Sequence, residues 1–199
     1  MFPAVTPLET TLSYQFQNSS LLKEALSHPS LSSEIRPAPP DNQRLEYLGD
    51  AVLELITTDY LFKRFSDLPE GPLTKLRASI VSKPSLATVA SRLGLGEALF
   101  MSNGEASSGG RERPSNLADV LEAVIGAIYL DSGLEVAMKV VTSVLQPEFE
   151  ALDPQTCPVY TSYAADEPLC VDLGGLHFSK KQHQYNTTHK HTLKHITHV

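Results

Sequence analysis

Two pairs of acidic residues stand out because each lies among apolar residues. Glu46 and Asp50 are four positions apart in NQRLEYLGDAVLE, and Asp119 and Glu122 are three apart in SNLADVLEAVIGAIYLD. At these spacings, the members of each pair share one face of a helix. Like charges so placed repel each other, and partial burial adds a desolvation cost for each carboxylate. The arrangement is unfavourable unless another group supplies positive charge.

A bound cation is one such group. If the two helices converge, four carboxylates surround one point, and they cannot all stay ionised without counter-charge. Divalent cations with oxygen ligands supply that charge, and Mg²⁺ is the usual occupant. The alternative is that the acids only decorate a solvated helix face. The spacing by itself leaves both interpretations open.

The composition is that of a globular domain with a tail. The chain has 199 residues, of which 41% are hydrophobic and 20% charged, as is ordinary for such a protein. Its net charge of −7 argues against nucleic-acid binding by bulk positive charge, so any such binding needs local basic groups or bound cations.

The sequence also indicates where the protein works. No stretch approaches the ~18 uninterrupted apolar residues of a membrane span. The N-terminal residues lack the pattern of a signal peptide. Cysteine is absent before Cys157, which fits a reducing compartment. We therefore expect a cytoplasmic protein without a membrane segment.

Helical periodicity dominates residues 7–151 and predicts an all-α fold without strands. Gly49 interrupts the apolar face of one long helix at a cost of about 1 kcal/mol relative to alanine, which close approach of a partner helix would explain. The predicted elements are a short helix from Pro7, a helix over 19–28, a loop over 29–41, a long helix over 42–65, helices over 73–82 and 83–96, a Gly/Ser loop over 102–115, an apolar helix over 116–133 ended by Gly133, and a closing helix over 134–152.

The tail, residues 153–199, differs in composition from the domain that we place at residues 1–152. It holds both cysteines and most of the histidines, and its apolar residues show no sustained period. We predict that it is disordered. Metal capture by the histidines and replacement of an original C-terminal domain through an altered reading frame are the alternatives.

Several motifs resemble those of the ribonuclease III family. NQRLEYLGDAVLELI resembles the family motif NERLEFLGDAVL, and HPSL at residues 28–31 resembles the short segment that precedes it. Residues 70–95 and 108–133 resemble the middle helices and the second acidic motif. The resemblance covers about residues 7–151, with the blocks in the family's order and at its separations.

The resemblance implies an all-α endonuclease domain, a helical bundle that forms a homodimer and cleaves double-stranded RNA. Glu46, Asp50, Asp119 and Glu122 match the family's metal-binding carboxylates, and Asp50 and Glu122 match its catalytic pair. The implied cofactor is Mg²⁺, with Mn²⁺ as a substitute. The implied products carry 5′-phosphate and 3′-hydroxyl ends with 3′ overhangs, from precursors of ribosomal or messenger RNA.

Other positions have weaker assignments. Arg111 and Arg113 follow the flexible SSGG segment and are predicted to contact RNA. Gln43 stands where the family often has glutamate, at a position that borders the dimer interface. Residues after 152 lack the pattern of the family's double-stranded-RNA-binding domain, so we expect weak, salt-sensitive RNA binding.

Two other functions remain open at this stage. One is a non-catalytic RNA-binding or ribosome-associated homologue, against which the retention of all four acids argues. The other is a Mg²⁺-dependent helical phosphohydrolase that acts on nucleotides.

Overall fold

The computed structural model describes residues 6–152, and within them regular structure is helical apart from an isolated bridge between Ser27 and Phe100. The predicted tail and the domain boundary after residue 152 lie outside the described residues. In chain order, the elements are α1 (Thr6–Leu12), α2 (Ser19–Ala25), a 3₁₀ helix (Pro29–Ser33), α3 (Gln43–Arg64), α4 (Glu70–Val81), α5 (Lys83–Arg92), α6 (Leu95–Ala98), α7 (Asn103–Ser107), α8 (Pro114–Val144) and α9 (Gln146–Glu150). None of these helices has the length and apolar character needed to cross a membrane.

The all-α prediction is confirmed for this part of the chain, and several boundaries are corrected. α2 ends at Ala25, earlier than predicted. The predicted helix over 83–96 divides at Gly94, whose φ of 72° separates α5 from α6. The predicted Gly/Ser loop contains α7, because Ser102 accepts a hydrogen bond from the Glu105 N–H and caps a short helix there. The predicted closing helix divides at Leu145 into the end of α8 and α9.

The first segment of α8, before Gly133, is the centre of the domain. Its residues from Asn116 to Ile128 are buried on nearly every side, as is typical of a helix enclosed by others. α2, α3 and α5 pack around it, and α3 makes the most extensive of these contacts. The side chain of Glu122, on this segment, therefore has little access to water.

Gly49 and Gly126 allow α3 and α8 to touch backbone to backbone. A Cβ atom at Gly49 would overlap the carbonyl oxygen of Glu122, and one at Gly126 would overlap the carbonyl oxygen of Leu45. The close approach predicted from Gly49 is confirmed. Gly126 was not singled out in the sequence, although it makes the matching contact from the other helix.

α8 breaks at Gly133, whose φ of 78° and ψ of 178° are not helical. This confirms the predicted end of the apolar helix. Just before the break, the Asp131 carboxylate accepts hydrogen bonds from the Tyr14 hydroxyl and from the backbone N–H groups of Gln17 and Asn18. These bonds tie the end of the central segment to the loop between α1 and α2.

Candidate metal centre

The contact between α3 and α8 brings acids from both helices together. Glu46, in the first turn of α3, meets Asp119 and Glu122 of α8. One ligand oxygen from each of these three residues can be chosen so that all lie within 4.8 Å of one another. The two helices therefore converge at their acidic faces, which is the arrangement that a shared cation site requires.

Asp50, the fourth predicted acid, is not part of this set. It lies one turn beyond Glu46 on α3 and is exposed. Its charge nevertheless reaches the cluster, because it is the strongest of the charges that raise the pKa of Glu122. Asp50 thus borders the three converging acids on the solvent side.

Burial and mutual repulsion favour the protonated forms of two cluster acids. Glu122 is buried, with only 9% of the residue exposed. Its burial, and then the charges of Asp50, Asp119 and Glu46, raise its pKa from 4.5 to about 7. Burial, followed by the charge of Asp119, likewise raises the pKa of Glu46. The protein alone therefore leaves these carboxylates short of positive charge.

Lys83 is the basic residue at this cluster, and no pattern in the sequence had identified it. Lys83 is the first residue of α5, and its Nζ lies 3.4 Å from Oδ1 of Asp119. Its charge lowers the pKa values of both Glu46 and Glu122. Burial and the neighbouring acids raise them by more, so both pKa values stay above the ordinary value. Because 67% of its side chain is exposed, the ion pair is weak.

The three converging carboxylates fit an oxygen-ligated divalent cation. Ligand oxygens lie roughly 2.0–2.6 Å from Mg²⁺ or Ca²⁺, so oxygens that share an ion lie within about 5 Å of one another. The spacing of the cluster meets that limit. Carboxylates alone, without histidine or cysteine, favour Mg²⁺, Ca²⁺ or Mn²⁺ over softer metals.

Arg111 and Arg113, the predicted RNA contacts, both bind other groups of the protein. The Arg113 guanidinium pairs with the Glu105 carboxylate. The Arg111 guanidinium donates to carbonyl oxygens at the end of α6, those of Gly96, Glu97 and Leu99. These contacts tie the segment after α7 to the last turn of α6, which gives Arg111 a structural role. Contact of either arginine with RNA stays a prediction.

Comparison with known proteins places this chain in a family. The family model described as Ribonuclease-III-like matches residues 18–148. The chain belongs to the ribonuclease III family. The match includes all four predicted acids and both glycines of the α3–α8 contact.

Individual ribonuclease III proteins agree with the match. The chain is 46% identical over 149 residues to Ribonuclease 3 of Campylobacter fetus subsp. fetus, which covers 75% of this chain and 65% of that protein. It is 42% identical to the nuclease domain of ribonuclease III from Campylobacter jejuni, with a TM-score of 0.69 over 76% of this chain and 99% of that one. A second structure of that domain, described for structural flexibility in a region involved in dimer formation, has the same identity and TM-score and covers 74% of this chain and 99% of that one. The chain spans 54% to 65% of the length of the curated ribonuclease III relatives that it matches.

The raised pKa of Glu122 predicts how the metal-free protein responds to pH. In the unfolded chain this carboxyl titrates near 4.5, and in the folded protein near 7. The folded state therefore holds the proton more tightly, so the contribution to stability is complete below pH 4.5 and is lost as the pH rises to about 7. We expect a loss of about 3 kcal/mol from this group between those limits.

Denaturant unfolding in EDTA at pH 5.5 and pH 8.0 measures this effect. Comparison of the wild type with Glu122→Gln cancels the contributions of all other groups that titrate alike in both proteins. The free energy of unfolding of the wild type should fall more than that of the variant between pH 5.5 and pH 8.0. Parallel pH profiles for the two proteins would show that Glu122 titrates normally.

Proposed function

We propose that this ribonuclease III chain is an endoribonuclease that hydrolyses phosphodiester bonds in double-stranded RNA with Mg²⁺, leaving 5′-phosphate and 3′-hydroxyl ends with 3′ overhangs. Precursors of ribosomal and messenger RNA in the cytoplasm are the proposed substrates. The observation that carries the proposal is the convergence of Glu46, Asp119 and Glu122 from two helices within 4.8 Å. Family membership supports it independently.

The four acids would hold Mg²⁺, with Mn²⁺ as a substitute. When bound, the ion supplies a Lewis acid and lowers the pKa of water at the phosphate. Glu122 must give up its proton to act as a ligand, and its pKa of about 7 makes that loss easy near neutral pH. The backbone contact at Gly49 holds Glu46 and Glu122 in position without flexible side chains between the helices. Asp50, the exposed acid, faces the side from which RNA arrives.

The outer face of α3 supports assembly as a homodimer. Its exposed apolar residues are Tyr47, Leu55 and Phe62, which are 85%, 52% and 69% exposed. Each is about two helical turns from the next, and so the three lie on one side of α3. Several large apolar residues exposed on one face are typical of an interaction surface. We propose that this face, with the exposed Gln43 at its start, pairs with a second copy.

A homodimer would give each strand of an RNA duplex its own acidic cluster. Two copies related by a two-fold axis present two identical sites. An A-form duplex is recognised through its shape, phosphates and 2′-hydroxyls rather than through its base sequence. Such recognition fits a candidate site that is built from carboxylates and a lysine.

A cleavage assay on a long RNA duplex tests the proposed activity. The chain should cut the duplex with Mg²⁺ but not with EDTA, and should leave single-stranded RNA of the same sequence intact. Binding of the duplex without cleavage at any divalent-ion concentration would favour a non-catalytic RNA-binding homologue. Hydrolysis of nucleoside triphosphates or diphosphates while the duplex stays intact would favour a nucleotide phosphohydrolase.

A further inference from the structure

Among the described residues, Lys83 is the one lysine or arginine that forms an ion pair with an acid of the candidate metal centre. The other ion pairs among the described residues join acids outside the centre, as for Arg113 with Glu105 and Lys139 with Glu135. Lys83 comes from α5, whereas the acids come from α3 and α8. A third helix therefore contributes a charge to a site that two helices build.

We propose that Lys83 is a substrate-binding residue that changes partners during the reaction. In the metal-free protein its ammonium is the counter-ion of Asp119. When a divalent cation takes Asp119 as a ligand, Lys83 releases that carboxylate and binds a phosphate of the RNA backbone. This inference rests on the proposed function.

The geometry makes release of Lys83 easy. Its only described contact at the cluster is one ion pair of 3.4 Å, and 67% of its side chain is exposed. Exposed pairs of this kind stabilise a protein by roughly 0–1 kcal/mol. Lysine carries its charge on a flexible stem of four carbons, so the ammonium can move while α5 stays in place.

Charge balance favours a phosphate as the second partner. A divalent cation at the cluster repels the Lys83 ammonium, because both charges are then beside Asp119. The RNA phosphate that enters the site brings negative charge to the same place. The Nη1 group of Arg111 is shared among three carbonyl oxygens of its own chain, and Arg113 is paired with Glu105. Lys83 has the weakest tie of the three to its present partner.

Metal affinity in the absence of RNA tests the first step. Mn²⁺ binding to the folded chain is measured by calorimetry for the wild type, Lys83→Gln and Lys83→Arg. Removal of the competing charge should tighten Mn²⁺ binding by roughly two- to ten-fold in Lys83→Gln, whereas Lys83→Arg should bind as the wild type does. Lys139→Gln is the matched control, since it also removes an exposed, ion-paired lysine. Unchanged or weaker Mn²⁺ binding by Lys83→Gln would overturn this step.

The salt dependence of KM for duplex RNA tests the second step. Lys83→Gln should raise KM several-fold, and the slope of log KM against log salt concentration should fall by roughly 0.9, which corresponds to one lost phosphate contact. Lys83→Arg should restore the wild-type slope, and Lys139→Gln should keep it. An unchanged slope in Lys83→Gln would show that no phosphate contact is made. If the wild type cleaves no RNA, the proposed function and this second step both fail, whereas the Mn²⁺ measurement still decides whether Lys83 competes with a cation.

Discussion

Glu122→Gln should cut duplex RNA at least about a hundredfold more slowly than the wild type. Loss of a residue that only supports a metal ligand costs about 10- to 100-fold in affinity or activity, and we propose that Glu122 is itself a ligand. Glutamine keeps the size of the side chain but removes the charge that attracts a cation. Cleavage rates in Mg²⁺, measured at saturating RNA, test this expectation.

The same substitution should not weaken the fold. Glu122 is buried among other acids, so removal of its charge relieves both desolvation and repulsion at neutral pH. In EDTA at pH 8.0 the variant should therefore unfold at a higher denaturant concentration than the wild type, and should form the same oligomer. Opposite changes in activity and stability are the mark of a functional acid that is held at a cost to the fold.

Glu135→Gln is the matched control for this prediction. Glu135 also belongs to α8, in the segment after the break at Gly133, but 84% of its side chain is exposed and it pairs with Lys139. Its substitution should leave the cleavage rate unchanged. Equal cleavage by Glu122→Gln and the wild type would refute the assigned role, and a drop of similar size in Glu135→Gln would show that the assay responds to net charge alone.

Local features of the sequence predicted the acidic faces and their supporting elements. The spacing of Glu46 and Asp50, and of Asp119 and Glu122, follows directly from helical periodicity. Gly49 could be interpreted because a glycine inside a helix has a known cost that close packing can offset. Gly126 offers the same signal within AVIGAIYL, so its role could have been predicted in the same way.

Other features depend on tertiary neighbours and could not be predicted. No spacing relates Lys83 to Asp119, because α5 and α8 are separated in the chain by the segments that contain α6 and α7. The composition of SSGGRERPS suggested a flexible basic loop. The fold instead uses Arg111 to bind carbonyl oxygens at the end of α6, which lie side by side only when that short helix is in place.

Gly49→Ala should destabilise the protein by about 3 kcal/mol or more. Overpacking a core costs typically 1–3 kcal/mol, and here the added Cβ would meet the backbone of Glu122 and the backbone nitrogen of Gly126 rather than movable side chains. The gain of about 1 kcal/mol in helix propensity is too small to compensate. Denaturant unfolding measures the change, and Gly126→Ala should have a similar effect because its Cβ would meet the backbone of Leu45.

The same glycines should also determine the geometry of the metal site, since α3 must move away from α8 to admit a methyl group. That movement would separate Glu46 from Glu122, so any Gly49→Ala protein that folds should bind Mn²⁺ more weakly than the wild type. Gly71→Ala is the control, because a Cβ there meets nothing within 4 Å. It should keep metal affinity and stabilise the helix by up to about 1 kcal/mol. Wild-type stability and Mn²⁺ affinity in Gly49→Ala would show that the helices do not depend on this contact to bring their acids together.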